Sequence, residues 1–330
     1  MARIVVSERS TVAVTRETWT RAALALLGAL LLAFPFLGAG AFTTTLLTEA
    51  LIYAIWAMSL DLLVGFTGLV TFGHAAAFGL ASYAAGYFAR EVSAEFLVSL
   101  GIAQLAVVAV ALATGFVATR VSGVAFAIIS LAIAQVLFQI AVAWRSVTQG
   151  MDGLVGVPLP RLLGKTLGPG NEFYLLTAVS VIVAYLALRW LVESPFGRTL
   201  RAIRSSGDRA AAIGIDVRLH TWLIFVISWA VAGLAGTLFV FLKAGTTPMS
   251  LHWGESGNVL AMAIFGGLGT LLGPAIGAIA FVFLRDEFTS RFQAWQLAFG
   301  LVFVLVVLLF PAGVAGMADR LWNWLWRGRS

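Results

Sequence analysis

Apolar runs of about twenty residues recur along this chain from end to end, and that recurrence leaves few folds open. A run of that length crosses the roughly 30 Å hydrocarbon core of a bilayer as a helix. In lipid every backbone N–H and C=O must be satisfied within the protein, so only helices and closed barrels span it. The runs are continuous rather than alternating with period two, which excludes the barrel. Charged residues make up only 11% of the chain, against about 25% in soluble domains. The fold class is therefore all-α, a polytopic transmembrane helical bundle of about ten membrane segments.

The expected spans are 22–42, 46–66, 69–89, 95–118, 124–144, 172–192, 221–242, 256–266, 271–284 and 294–316, together a transmembrane domain over 22–316. Residues 1–21 carry Arg3, Arg9, Arg16 and Arg21 and read as a cytoplasmic N-terminal segment, because arginine-rich flanks resist translocation. The apolar stretch after them exceeds the about 7–15 residues of a signal-peptide core, so the first helix is expected to stay uncleaved. Residues 317–330 place Trp322, Trp324 and Trp326 among arginines, which suits an interfacial helix on the headgroups. The stretch 256–284 crosses once, or twice if Gly266-Gly267-Leu268-Gly269 breaks it. A cytoplasmic tail with Arg320, Arg327 and Arg329 favours the second.

The most charged interruption is Glu193–His220, which holds Arg198, Arg201, Arg204, Arg209 and Arg218 against Glu193, Asp208 and Asp216. Six crossings from an inside N-terminus bring the chain back inside here, where so basic a loop must lie. Ser194-Pro195 is a helix start, a capping hydroxyl followed by proline at the first helical position. Asp208 is expected to cap a second short helix ending near Gly214. Two short helices at the membrane surface read as a docking surface; a solvated loop that only sets topology is the alternative.

Two glycine-rich interruptions come next, Gly65–Tyr83 and Phe265–Ala278. Backbone leaves the helix inside a membrane only where it is buried in protein or lines a cavity, and glycine-broken segments in both halves point to a transport pathway. Gly65, Gly68, Thr71, Gly73, His74, Gly266, Gly267 and Gly269 are the pathway candidates. Close helix packing is the competing account of the same glycines. His74 has no second ligand near it for a metal, and is expected as a neutral imidazole bonded to a broken-helix carbonyl. Glu49 and Asp61 lie within spans and should face protein, either touching substrate or satisfying helix ends.

Net charge +6 and a pI of about 10.3 reflect arginines beside spans, not nucleic-acid binding. With no cysteine there is no disulfide and no thiol chemistry. No phosphate loop, nucleophile elbow or His-Glu-x-x-His occurs, so no ATP site and no catalytic constellation is expected in this chain.

Taken together, three ordered blocks resemble the inner-membrane permease subunits of bacterial ABC importers for branched-chain amino acids, the longer of the two paired permeases. Gly65, Gly68, Gly73, His74, Gly79 and Tyr83 form the first block. Ser194-Pro195-Phe196-Gly197-Arg198 with Ala202-Ile203-Arg204 and Gly214 form the second. Gly266-Gly267-Leu268-Gly269-Thr270, Gly273-Pro274 and Gly277 form the third, and Pro311-Ala312-Gly313 closes the last span. The resemblance runs from about Ala50 to Met317. Leu69, Thr71 and Gln149 depart from it, and such departures bear on the solute, since superfamily relatives carry urea, amides or sugars.

The resemblance implies a bacterial inner-membrane location and a coupling loop, Glu193–His220, seated in a groove of a separate ATPase. It places that contact on Gly197, Arg198, Arg201, Ala202, Arg204 and Gly214. It implies no directly bound cofactor, with ATP held by the partner ATPase. A second permease would complete the pathway, and a periplasmic binding protein would meet the loop carrying Thr148, Asp152 and Gly153. A stand-alone secondary transporter using Asp61, and an intramembrane enzyme using His74, are the alternatives from other classes.

Overall fold

The computed structural model describes residues 26–38, 40–291, 297, 300–301 and 313. The expected N-terminal segment, nearly all of the span 294–316 and the tryptophan-rich tail lie outside the described residues.

After an apolar helical stretch at Leu26–Phe36, the chain forms α1 (Ala41–Thr67), α2 (His74–Glu91), α3 (Phe96–Ala118), α4 (Gly123–Ala143) and α5 (Asn171–Glu193). The basic island folds as α6 (Pro195–Ser205) and α7 (Gly207–Ala212). Then come α8 (Val217–Lys243), α9 (Trp253–Gly266) and α10 (Leu272–Arg291). Two-residue strands interrupt the all-α picture in one end's loops: β1 (Leu154–Val155) pairs antiparallel with β4 (Gly245–Thr246), and β2 (Arg161–Leu162) with β3 (Lys165–Thr166). Among the described residues, α1, α3, α4, α5 and α8 are the helices long and apolar enough to cross a membrane.

Several boundaries differ from the sequence expectation for identifiable reasons. The first helix ends before residue 42 because Pro35 tightens its last turn into a 3-10 helix and Gly38 takes φ +74. α1 then starts at Ala41 rather than 46. The span expected to begin at 69 begins at His74, since Gly68 closes α1 in the left-handed region at φ +77 and the next five residues are non-helical. α8 starts inside the island at Val217, where the Asp216 side chain accepts the Leu219 N–H at 3.0 Å. The stretch 256–284 is two helices, and α10 runs on to Arg291.

α1 is the axis of the fold, buried continuously from Thr48 to Thr67 and packed by α5, α8 and α10. An aromatic cluster fills its middle: the Trp56 and Phe78 rings stack at 4.2 Å, with Tyr53 and Phe239 against them. α3 and α4 bury only narrow stripes rich in small residues, Ala103, Ala111 and Gly115 on one and Ser130 and Ala134 on the other. Small residues let helices approach where lipid provides no hydrophobic drive. Their other faces expose Leu105 and Val124, as a surface against lipid or another subunit does.

The contacts sort the ends of the helices into two sets. At one end the loop after α2 joins the loop after α4, with Arg161 N–H donating to Ala94 O at 2.8 Å, and β1 joins the loop after α8. At the other end α6 packs on α1 and Trp222 of α8 bonds Leu112 O of α3. Successive helices therefore alternate in direction, as repeated crossings require.

Candidate functional site

At the end of the bundle that carries the basic island, two helix breaks meet. Gly68–Gly73 separates α1 from α2, and Gly267–Leu271 separates α9 from α10. Gly65 and Gly269 touch, and any side chain at Gly65 would overlap the Gly269 amide. Gly269 takes φ +80 and Leu271 φ +59, backbone that L-residues rarely adopt.

Asp61 holds this second break together. Its Oδ1 accepts the Gly269 N–H at 2.7 Å and its Oδ2 the Leu271 N–H at 3.1 Å. Of the two roles open for Asp61, satisfying backbone is the one its contacts describe. Thr270 Oγ1 accepts the Gly273 N–H and so starts α10. Gly266 lies on Gly273 and Gly277 on Met262, so α9 and α10 close as a tight hairpin.

Hydroxyls satisfy the first break, two of them from other helices. Ser130 of α4 accepts the Phe72 N–H at 3.1 Å, Ser256 of α9 accepts the Ala75 N–H at 2.8 Å, and Thr71 accepts the Gly73 N–H. Gly73 is pressed against the Ser130 carbonyl. His74 is fully buried and its Nε2 meets the Ser59 hydroxyl at 2.8 Å, rather than the broken-helix carbonyl expected for it. Its Nδ1 has no partner among the described residues. Ser228 of α8 in turn bonds Ser59 O. Sequence reasoning missed these serines; small hydroxyls inside apolar spans, next to a glycine-marked break, are the signal that finds them.

Arg204 connects the island to the junction. Its guanidinium donates to Gly65 O, and its stem lies over Gly68. α6 is amphipathic: Leu200 and Ile203 are buried against the bundle while Arg198, Arg201 and Arg204 are exposed. Ser194 caps it, accepting the Gly197 N–H at 3.3 Å. Gly197 is buried against the Val192 backbone, where a Cβ has no room. Arg201 donates to Val192 O at 2.9 Å, and Ala202 is half-buried. The α7 cap is Ser206, not Asp208, and accepts the Arg209 N–H. Gly214 follows α7 at φ +87 with open space around it. Beside it Ile213 is 77% exposed, an apolar side chain the sequence reading passed over.

At the opposite end, Thr148 and Gly153 turn inward. Thr148 is buried and donates to Ala141 O at 2.6 Å, and Gly153 packs on Thr246 and Thr247. Asp152 alone of those three candidates is exposed. Glu49 lies deep beneath this end, bridging Lys243 at 2.6 Å and Arg285 at 2.7 Å. Among the described residues no group of three or more His, Cys, Asp or Glu is arranged to hold a metal.

The described residues form a bundle of long apolar helices whose paired breaks lie against a basic surface helix. Residues 42–311 match the family described as branched-chain amino acid transport system / permease component, and the chain belongs to that family. It is 27% identical over 311 residues to the high-affinity branched-chain amino acid transport system permease protein LivM of Escherichia coli strain K12, covering 87% of this chain and 73% of that one. The corresponding LivM of Salmonella typhimurium is 24% identical over 82% of this chain and 69% of its own length. The autoinducer 2 import system permease protein LsrC of Photorhabdus laumondii is 28% identical over 40% of this chain and 42% of its own. No solved structure matches the chain at a significant level.

Proposed function

We propose that this chain is the multi-pass inner-membrane permease subunit of an ATP-driven ABC importer for branched-chain amino acids. Family membership and the LivM relatives support the solute class. The observation that carries the mechanism is the bond from Arg204 to Gly65 O, which ties a surface helix to the junction of both helix breaks. A push on α6 therefore reaches Gly65, Gly269 and Asp61 without passing through a flexible linker.

In this reading α6 and α7 seat on a separate ATPase through Arg198, Arg209 and Ile213, whose side chains face outward. Gly197, Arg201, Ala202 and Arg204 shape and brace that helix from behind. ATP binds and is hydrolysed on the partner. A second permease completes the pathway, with the Gly68–Phe72 stretch and its exposed Gly68 and Val70 on this chain's side. The periplasmic binding protein meets the loop that carries Asp152. The N-terminus is cytoplasmic and about ten segments cross or enter the bilayer, α9 being a short one, since its fourteen residues rise only about 21 Å.

ATP-dependent uptake of leucine, isoleucine and valine by the reconstituted importer tests this reading. Arg198→Glu is expected to abolish uptake and leave amino-acid capture by the binding protein intact. Unchanged uptake in that variant would remove the docking role from α6.

A further inference from the structure

We propose that the island-side ends of α3 and α8 form a binding site for an anionic glycerophospholipid. The inference rests on the membrane reading and not on the identity of the transported solute. A cavity of about 370 Å³ opens between these helix ends, lined by Phe116, Thr119, Arg120, Arg218, Leu219 and Trp222. Two guanidiniums thus share one hollow. Neither has an ion-pair partner among the described residues. The nearest carboxylate in sequence, Asp216, is engaged in capping α8 through the Leu219 N–H.

The remaining walls suit a lipid and not a small soluble anion. The Arg120 guanidinium lies over the Phe116 ring at 4.3 Å, which fixes its plane while leaving its N–H edge free to meet phosphate oxygens. Trp222 spends its indole N–H on Leu112 O at 3.1 Å, so its ring offers only an apolar face. The Thr119 hydroxyl is satisfied by Gly115 O at 2.7 Å. Leu112, Val117 and Leu223 on the same two helices are exposed, apolar surface that an acyl chain can cover. Arg120 lies just past the end of α3 and Arg218 in the first turn of α8, the depth at which phosphate headgroups lie. An arginine that only sets topology needs neither a shared hollow nor an apolar wall.

Native mass spectrometry of the full chain in mild detergent tests the site, with phosphatidylglycerol, phosphatidylcholine or inorganic phosphate added separately. The wild-type chain is expected to retain phosphatidylglycerol in preference to phosphatidylcholine. The Arg120→Gln/Arg218→Gln pair should lose that occupancy by about tenfold or more. Arg120→Lys/Arg218→Lys, which keeps the charge, should retain most of it and controls for folding. Equal retention by wild type and the glutamine pair would overturn the proposal. So would equal retention of the two lipids, displacement of lipid by inorganic phosphate alone, or a partner protein occupying the hollow in the purified assembly.

Discussion

Asp61 Oδ1 accepts the backbone N–H of Gly269 at 2.7 Å, joining positions 208 residues apart at the point where α9 gives way to α10. An unpaired amide inside a membrane protein is costly, and this carboxylate removes two such orphans at once, since its other oxygen takes the Leu271 N–H. The break in the last third of the chain is thus stabilised by a side chain in the first fifth.

Asp61→Asn should destabilise the chain, because an amide supplies one acceptor oxygen where the carboxylate supplies two, and turns its NH₂ toward an N–H. Each buried donor left unpaired costs about 1–3 kcal/mol. Thermal unfolding in detergent should shift down accordingly, and hydrogen exchange should speed up at 267–271 while the aromatic cluster around Trp56 stays protected. If the variant unfolds like wild type, Asp61 does not hold the break.

Arg204 and Arg198 should separate when mutated, although both lie on α6. Arg204 faces the chain's own Gly65, whereas Arg198 has one long bond, to Glu193 O at 3.4 Å, and is otherwise free. Arg204→Gln is expected to leave the ATPase bound yet cut coupled transport by about tenfold or more, the effect of losing a charge-assisted hydrogen bond. Arg198→Glu should release the ATPase in co-purification. Identical behaviour of the two variants would contradict the division of roles.

Glu49→Gln should weaken the opposite end. The carboxylate is nearly buried and bridges Lys243 and Arg285, of which Lys243 is the more exposed. A loss of about 1.5–3 kcal/mol is expected, the value of hydrogen bonds to a charged group, toward the lower end because water reaches Lys243. Chemical denaturation of the detergent-solubilised chain measures it, and a midpoint equal to wild type would show the bridges to be energetically idle.

Topology is open to direct labelling because the chain has no cysteine. Ser205→Cys, exposed at the end of α6, should react only from the cytoplasm, and Asp152→Cys only from outside. Ser206 is a poor probe, since its hydroxyl caps α7. The reverse labelling pattern would invert the orientation.

Much of this architecture is readable from residue order alone. Continuous apolar runs announce the long helices, and Gly65-Phe66-Thr67-Gly68 and Gly266-Gly267-Leu268-Gly269 announce the breaks, because glycine is the residue that leaves a helix at positive φ without strain. Ser194-Pro195 announces α6 by a different local signal, a capping hydroxyl followed by proline at the first helical position. What order does not carry is the identity of partners far along the chain. Nothing near Asp61 names Gly269, and nothing near Ser130 or Ser256 names the Phe72 and Ala75 amides. The two-residue strands are too short to show a period, and Thr148 reads as a surface polar residue although its hydroxyl closes its own turn. Arg204 looked like its neighbours Arg198 and Arg201; only the packing of α6 on α1 brings its guanidinium within reach of Gly65 O while the residue stays exposed.

The central claim is that the chain works as the permease of an ATP-driven importer, and its binding partners test that most directly. A tagged chain purified in mild detergent, with mass spectrometry of whatever remains bound, is predicted to bring down an ABC ATPase and a second permease. A chain that purifies alone and still moves amino acids across liposomes without ATP would contradict the account.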